Sequence, residues 1–247
     1  MTRVCASIEA RMTSSRFPGK MMADINGAPS IVRLINRVKA CQSLDGVVLA
    51  TTTNKEDDVL VEQAEKAGIS SYRGSEDDVL NRVVEAQKSI RSDIVVEIVG
   101  DGILLDPEIV DVAVDTFLAN DCDVVSNTWK RSWPVGVSVQ VFPLEKLEWV
   151  DRNVADPAVH EHVSLYFYEN PEAYRIIHLM SARRLRAPHD WRFHLDYPED
   201  LEFLNRVYKE LEPERGELFS TADVMDLIDR NPELPEINRH CEERSAR

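Results

Sequence analysis

The chain has 247 residues, of which 43% are hydrophobic and 30% are charged, so it is long enough to bury a large core. Its 44 acidic residues outnumber its 29 basic residues, and the net charge of -15 opposes binding to nucleic acid. No apolar run approaches the roughly 20 residues that a membrane span needs, and the first residues lack a secretory signal, so we expect a cytoplasmic protein with no membrane partner.

The first half of the chain alternates short apolar runs with segments of helical periodicity. Strands are predicted at 3–10, 46–53, 70–74, 93–100 and 122–127. Helices are predicted around Ile31 to Val38 and at 55–68, 76–90 and 106–121. This alternation is typical of a Rossmann-like α/β fold, a doubly wound and mostly parallel sheet that binds ligands at the carboxyl ends of its strands.

The alternation breaks at about residue 128. Strands are predicted at 135–142 and 173–182, and helices at 143–153 and 157–170. The earlier pattern then returns with a strand at 191–196 and helices at 197–212 and 221–230. We therefore predict that residues 1–247 form a single domain with an inserted β/α arm at about 128–189.

The loop after the first predicted strand, IEARMTSSRFPGK, concentrates cations in an otherwise acidic chain. A triphosphate carries about four negative charges near neutral pH, and proteins hold it with backbone N–H groups and a few fixed cations. Arg11 offers a planar fork and Lys20 a compact charge, while small residues such as Ser14 and Ser15 permit close approach. The loop matches neither GxxxxGK[ST] nor GxGxxG, so its composition favours phosphate binding and a solvated surface loop equally.

Two aspartates follow predicted strands at the edge where ligands bind. Asp101 comes after the strand 93–100, and Asp196 ends the strand 191–196. Mg²⁺ commonly takes one or two carboxylates together with phosphate oxygens, so this pair suffices for a magnesium site. The alternative for an aspartate after a strand is a turn or a helix cap, which the residue type alone favours.

The opening loop resembles the signature loop of cytidylyltransferases of the spore coat polysaccharide biosynthesis type, which are related to CMP-KDO and CMP-sialic acid synthetases. Further segments resemble that family's successive motifs in the same order, from about Val4 to Asn205: VVLATTTNKEDD, YRGSEDDVLNRVVEA, VEIVGDGILLDPEIVD, DVVSN, EHV and FHLDYPEDLEFL. Six ordered segments are far more specific than one loop.

The resemblance implies roles for particular residues. Arg11, Lys20 and Asp101 are expected to be catalytic, and Asp101 and Asp196 to bind Mg²⁺. The residues expected to bind the nucleotide are Ala10 through its backbone, Arg11, Ser14, Ser15, Lys20, Arg73, Ser75, Arg82 and Asp101. Among these, Arg73, Ser75 and Arg82 are expected near the cytosine and ribose, although Arg82 could equally pair with Asp78 on a helix surface. The residues expected to bind the acceptor are Gln140, Glu161 and His162.

The implied activity is a CTP-dependent transfer of CMP to a small acidic or phosphorylated acceptor, such as a sugar acid, with release of pyrophosphate, for cell-envelope polysaccharide biosynthesis. The alternatives are a nucleotidyltransferase that uses UTP or GTP and a nucleotide-binding module without turnover. The arm at about 128–189 resembles the family's dimer-forming region, so a homodimer is expected.

The sequence departs from the family pattern at two places. Gly102 and Ile103 stand where Cys-Pro usually follows the first metal aspartate, and PVGVSVQVF replaces an acidic stretch of the arm. Since the arm borders the acceptor pocket in relatives, the acceptor's identity stays open. Cysteines and histidines form no metal-binding pattern, so we expect reduced structural thiols and structural or surface roles for His178, His189, His194 and His240.

Overall fold

The computed structural model describes residues 2–182 and 191–243. Within these ranges the strands, in chain order, are β1 (Val4–Glu9), β2 (Asp24–Ile25), β3 (Ala28–Pro29), β4 (Gly46–Thr52), β5 (Ser70–Gly74), β6 (Ile94–Val99), β7 (Val124–Ser126), β8 (Gln140–Pro143) and β9 (Ile176–His178). Seven of them form one sheet with the order β5-β4-β1-β6-β8-β7-β9, and β2 pairs with β3 in a small hairpin. Strands β5, β4, β1 and β6 are parallel, whereas β8 is antiparallel to both of its neighbours.

The helices of the described residues lie between these strands and after them. In chain order they are α1 (Ser30–Lys39), α2 (Asp58–Ala67), α3 (Val79–Ser89), α4 (Pro107–Ala119), α5 (Leu144–Asn153), α6 (Pro157–Glu161), α7 (Leu165–Glu169), α8 (Pro198–Arg215) and α9 (Thr221–Arg230). Their apolar side chains cover both faces of the sheet. The predicted Rossmann-like, doubly wound and mostly parallel architecture is therefore confirmed.

Alternation along the strands divides the core into two layers, because successive side chains point to opposite faces of the sheet. Ile8 and Val96 face the layer that packs against α1, α2, α4, α8 and α9. Val95 and Phe142 face the layer built from α3, α5 and α7. Both layers are almost fully removed from solvent, so the sheet is a rigid support for the loops at its carboxyl edge.

Local sequence signals set several helix ends. Asp78 accepts a hydrogen bond from the Asn81 N–H at the start of α3, and Asp106 accepts one from the Glu108 N–H at the start of α4. Gly68 ends α2 with a φ of 70°, a left-handed conformation that glycine adopts without steric cost. These ends fix where α3 and α4 begin beside the strand ends.

Three predicted elements differ from the structure. The strand predicted at 135–142 is regular only at β8, Gln140–Pro143. The predicted helix 157–170 is two short helices, α6 and α7, interrupted at His162–Ser164. The predicted strand 191–196 makes only an isolated bridge, from Arg192 to Val135, and is otherwise irregular. In these segments the apolar pattern correctly indicates which residues are buried. It does not indicate regular secondary structure, because tertiary contacts hold the segments in place.

The predicted arm contributes two strands to the central sheet, since β8 lies between β6 and β7 and β9 forms the edge beyond β7. All four cysteines lie in the described ranges, and none is in a disulfide, as expected. Among residues 2–182 and 191–243, none of the helices has both the length and the apolar character required to cross a bilayer.

Candidate active site

A cleft of about 400 Å³ opens at the carboxyl ends of β1 and β6. Its walls come from the opening loop, the first residues after β6, the N-terminal half of α3, the arm, and the segment before α8. The predicted site residues that line it are Ala10, Arg11, Ser14, Ser15, Lys20, Arg82, Asp101, Glu161, His162 and Asp196. The fold thus brings together ten residues that the sequence spreads over most of the chain.

Lys20 connects the two aspartates that were predicted to bind a metal. Its Nζ atom lies 3.1 Å from Asp101 Oδ2 and 2.7 Å from Asp196 Oδ1. Burial alone would lower the pKa of Lys20, but the two carboxylates raise it above its ordinary value. One ammonium group therefore contacts both carboxylates, which lie close enough together for one cation to bind between them.

Asp196 is the most heavily contacted acid of the cleft. Arg16 Nη2 lies 2.6 Å from its Oδ2, and His194 Nε2 lies 3.3 Å from the same oxygen. Burial opposes ionisation of Asp196, yet hydrogen bonds from His194 and Lys20 hold its pKa well below the ordinary value. The carboxylate is thus ionised throughout the physiological range and available to a cation.

The opening loop is shaped by its own backbone hydrogen bonds. The N–H groups of Ser14 and Gly19 both donate to the Met12 carbonyl, at 3.1 and 3.0 Å. The Met12 N–H donates to the buried Asp57 at 2.7 Å, which ties the loop to the end of β4. These N–H groups are used internally, so the cationic side chains supply the charge that the loop presents to the cleft.

Arg11 is held at the rim of the cleft by Glu76. Its Nη1 atom donates to the Glu76 carbonyl at 3.2 Å and lies 3.5 Å from the Glu76 carboxylate. The same carboxylate accepts hydrogen bonds from Thr13 and Asn54, which lower its pKa. The side chain of Arg11 is 40% exposed, so its guanidinium stays accessible from the cleft.

Three predicted site residues do not line the cleft. Arg73 donates to the carbonyls of Thr52 and Asn54 and pairs with Asp58, and Ser75 accepts from the Asp78 N–H. These contacts organise the loops after β4 and β5.

Gln140, the third, is buried within the sheet. Its Nε2 donates to Glu97 at 2.9 Å, and Tyr168 donates to its side-chain oxygen. Burial raises the pKa of Glu97 well above the ordinary value, which favours the neutral form of this carboxyl beside Gln140. In the arm segment PVGVSVQVF, which departs from the family pattern, Val135, Gly136 and Ser138 line the cleft, whereas Gln140 does not.

Asp200 holds the backbone that carries Asp196. Its side chain is fully buried and accepts hydrogen bonds from the N–H groups of Asp196 and Tyr197, at 2.9 and 3.0 Å. It also accepts from Arg192 at 3.1 Å and from Asn238 at 2.9 Å. The position of Asp196 therefore depends on a buried ion pair one turn into α8.

The replacement Asp200→Ala is expected to lower the free energy of unfolding by about 3 to 5 kcal/mol, because it leaves the buried Arg192 unpaired. Urea unfolding followed by circular dichroism measures this change. Asp115→Ala, at an exposed position of α4, is the matched control. A loss below about 1 kcal/mol would mean that Arg192 finds another partner.

A family model described as cytidylyltransferase matches residues 6–223 of the chain. The chain belongs to the cytidylyltransferase family. It is 30% identical over 238 residues to the spore coat polysaccharide biosynthesis protein SpsF of Bacillus subtilis, with 94% of this chain and 97% of that protein covered. It is 31% identical over 186 residues to the 3-deoxy-manno-octulosonate cytidylyltransferase of Chlorobium chlorochromatii, covering 72% and 68% of the two chains. A solved cytidylyltransferase structure from Leptospira borgpetersenii matches with a TM-score of 0.89 at 30% identity over 99% of this chain and 100% of that one.

This cytidylyltransferase therefore belongs to the nucleotidyltransferases, as predicted.

The cleft also contains groups that sequence reasoning did not assign. Arg16 and His194 contact Asp196, and Glu9 lines the floor. His194 could have been found from the sequence, because it lies two residues before Asp196 in an extended segment, and residues i and i+2 of such a segment point to the same side.

Two histidines expected to lack partners have one. His194 contacts Asp196, and His240 Nε2 lies 3.7 Å from Glu199. His160 is bonded to Asp78 and to the Val154 carbonyl, so it does not join His162 in the cleft. His189 lies outside the described residues.

Arg82 is not the surface cation that its helical spacing allowed. It is 3% exposed, and its Nη1 donates to the carbonyls of Ser75 and Glu76 rather than to Asp78. Burial lowers its pKa, and the nearby Glu9 opposes that effect. The guanidinium is therefore fixed in the wall of the cleft.

Glu9 has a carboxyl whose protonation is linked to folding. Burial and, to a smaller extent, the nearby Asp101 raise its pKa to about 7, against an opposing effect of Arg82. Between pH 4.5 and 7 the unfolded chain releases a proton that the folded protein keeps, so stability falls as the pH rises.

The replacement Glu9→Gln removes this titration. We expect the free energy of unfolding of the variant, relative to the natural chain, to increase by about 3 kcal/mol between pH 4.5 and pH 8. Urea unfolding at a series of pH values measures the difference. A difference that stays constant across that range would contradict the raised pKa.

Proposed function

We propose that this cytidylyltransferase uses CTP to transfer CMP to a small acidic or phosphorylated acceptor, such as a sugar acid, with release of pyrophosphate. The observation that supports it best is the contact of Lys20 with both Asp101 and Asp196 at the mouth of the opening loop. This contact places a cation suited to phosphate oxygens beside two carboxylates suited to a divalent ion, in one cleft. Phosphoryl transfer uses groups of both kinds to stabilise the charge of the transition state.

In the proposed reaction an acceptor oxygen attacks the α-phosphorus of CTP. A bond from that oxygen to phosphorus forms, the bond between the α-phosphorus and the bridging oxygen breaks, and pyrophosphate leaves with the electron pair. Arg11, Arg16 and Lys20 line the cleft and bring positive charge to the phosphate oxygens and the leaving group. The described residues of the cleft contain no Ser–His or Cys–His pair, which is consistent with direct transfer.

Asp101 and Asp196 are the residues that would hold Mg²⁺. Their carboxylates fit a hard cation, since one ammonium already contacts both and Mg²⁺ accepts one or two carboxylates with phosphate oxygens. When bound, the ion would neutralise phosphate charge. The protein's own part is to keep Asp196 ionised and oriented, through Arg16, His194 and the backbone held by Asp200.

The acceptor would lie beside the arm. Ser138, Glu161 and His162 of the arm line the cleft together with Gly136. Gly136 has a φ of 103°, and a Cβ atom there would lie 2.5 Å from the His194 N, so only glycine fits. The names of the relatives, a spore coat polysaccharide protein and a 3-deoxy-manno-octulosonate cytidylyltransferase, support a sugar-acid acceptor and a role in cell-envelope polysaccharide synthesis.

The test is pyrophosphate release from CTP and Mg²⁺ across a panel of sugar acids and sugar phosphates, with mass spectrometry of the CMP adduct. Release that requires both CTP and one acceptor class is the expected result. Binding of CTP must accompany it in a thermal-shift assay. Stronger stabilisation by UTP or GTP than by CTP would contradict the proposed donor.

We further propose a homodimer formed through the arm at 128–189 of the single domain 1–247. Trp129 and Met180 of the arm are 46% and 38% exposed, and apolar side chains of this size are enriched in the buried part of dimer interfaces. Multi-angle light scattering is expected to give twice the monomer mass. A monomer at micromolar concentration would contradict this proposal.

A further inference from the structure

Asp78, Asp151 and His160 form a cluster of metal-ligating side chains outside the cleft. One oxygen of each carboxylate and one ring nitrogen of His160 lie within 4.8 Å of one another. The three residues belong to different elements, since Asp78 precedes α3, Asp151 lies in α5 and His160 lies in α6. Asp78 is distant from the other two in the sequence, so no motif of closely spaced ligands indicated the cluster.

The hydrogen bonds of His160 determine which ring nitrogen can bind a cation. Its Nε2 atom lies 2.7 Å from the Val154 carbonyl, which only accepts, so Nε2 carries a hydrogen and donates it. In the neutral ring Nδ1 then has a lone pair. Nδ1 lies 2.7 Å from Asp78 Oδ1, which already accepts from the Asn81 N–H. Two acceptors therefore meet here, and the contact requires a positive species, which is either a proton or a metal ion.

A second carboxylate, that of Asp151, favours the metal ion over the proton. An ion pair with His160 needs only Asp78, whereas Asp151 supplies a third ligand. Asn81 Nδ2 donates to both oxygens of Asp151, at 3.3 and 3.2 Å, and the Asn81 N–H donates to Asp78 at 3.0 Å. Each of the three side chains is thus oriented by a further hydrogen bond, as is usual for metal ligands.

The types of ligand favour zinc over magnesium. Imidazole suits Zn²⁺ and other transition metals, whereas Mg²⁺ prefers oxygen ligands. Zn²⁺ binds these side chains at about 2.0 to 2.2 Å, which places the ligand atoms of a tetrahedral site about 3.4 Å apart. The side chains of Asp78 and His160 are 37% and 17% exposed, so small rotations can reach this spacing and water has access to the fourth position.

We propose that Asp78, Asp151 and His160 bind a Zn²⁺ ion that joins the arm to the start of α3. The ligands are Nδ1 of His160 and one oxygen of each aspartate, and a water molecule completes the tetrahedron. The ion takes the place of a proton at Nδ1, and that proton is released to solvent.

This zinc site connects two walls of the cleft. Val79, directly after Asp78, lines the cleft from α3, and Glu161, directly after His160, lines it from the arm. Binding of one ion therefore fixes the position of the arm relative to α3. The site is independent of the proposed function, because none of its ligands lines the cleft.

The test is binding of Zn²⁺ to the tag-free full chain, measured by calorimetric titration without nucleotide. The variant Asp151→Asn removes one ligand but keeps the contact between His160 and Asp78, so it distinguishes a metal site from a protonated histidine. Glu145→Gln is the matched control, since it removes the charge of an exposed carboxylate from the same helix, α5.

We expect the affinity for Zn²⁺ to fall at least about 10-fold in Asp151→Asn, because loss of a ligand weakens a site at least as much as loss of an outer hydrogen bond. In Glu145→Gln the affinity is expected to stay within about 2-fold of the natural value. Zinc bound elsewhere is common to the three proteins, so the difference between them reports this site. Circular dichroism confirms folding of each variant.

The position of the ion is measured on the natural chain. Crystals grown with Zn²⁺ and measured at the zinc absorption edge are expected to show an anomalous peak between Asp78, Asp151 and His160. A peak confined to Asp101 and Asp196, or equal Zn²⁺ affinities of the natural chain and Asp151→Asn, would overturn the proposal and assign the His160 contact to a proton. The proposed transfer of CMP would be unaffected by that result.

Discussion

The replacement Asp196→Asn is expected to lower the rate of pyrophosphate release from CTP by about 100- to 1000-fold. Asparagine keeps the size of the side chain but removes the charge on which Arg16, Lys20 and His194 converge. The asparagine amide also carries an NH₂ group, which donates hydrogen bonds and cannot bind a cation. The variant is therefore expected to bind a divalent ion more weakly. Rates with saturating CTP and acceptor measure the effect.

Asp115→Asn is the control for this loss, since Asp115 is exposed on α4 and does not line the cleft. It is expected to keep the natural rate within about 2-fold. Thermal unfolding in the absence of ligands separates a local effect from misfolding. A well-folded Asp196→Asn variant with the natural rate would remove Asp196 from the proposed metal site.

The second large effect is expected for Lys20→Met. The variant should lose about 100-fold or more in turnover, because Lys20 is the least exposed of the three loop cations that line the cleft. Among the residues that the structure describes, Lys20 is the only cation that contacts both Asp101 and Asp196, and the same change removes it from the nucleotide-free protein. The two carboxylates then lose the cation that they share, and Arg16 and His194 contact Asp196 alone.

This second effect has a readout that does not depend on turnover. Since Lys20 competes with a divalent ion for the two carboxylates, Lys20→Met is expected to gain more thermal stability from Mg²⁺ alone than the natural chain does. Lys39→Met, at an exposed position of α1, is the control. An equal gain in stability for all three proteins would place the divalent ion elsewhere.

The sequence alone predicted the fold class correctly. The reason is that strand and helix alternate with clear periodicity up to about residue 127, and alternation of this kind has few architectural solutions. The sequence also indicated the ligand edge, because the ends of parallel strands lie together. The secondary structure of the arm was harder to predict, since tertiary contacts hold its short segments and local sequence patterns do not indicate those contacts.

Only the tertiary structure could decide which charged groups meet. Lys20, Asp101 and Asp196 are separated by most of the chain, and their contact depends on the Asp200 pair that holds the irregular segment before α8. Composition likewise could not distinguish Arg82, fixed in the wall, from a surface helix cation. Nor could it show that Oε1 of Glu9 has no hydrogen-bond partner among the residues that the structure describes. Burial and pairing are properties of three-dimensional neighbours, and electrostatic energies depend on both.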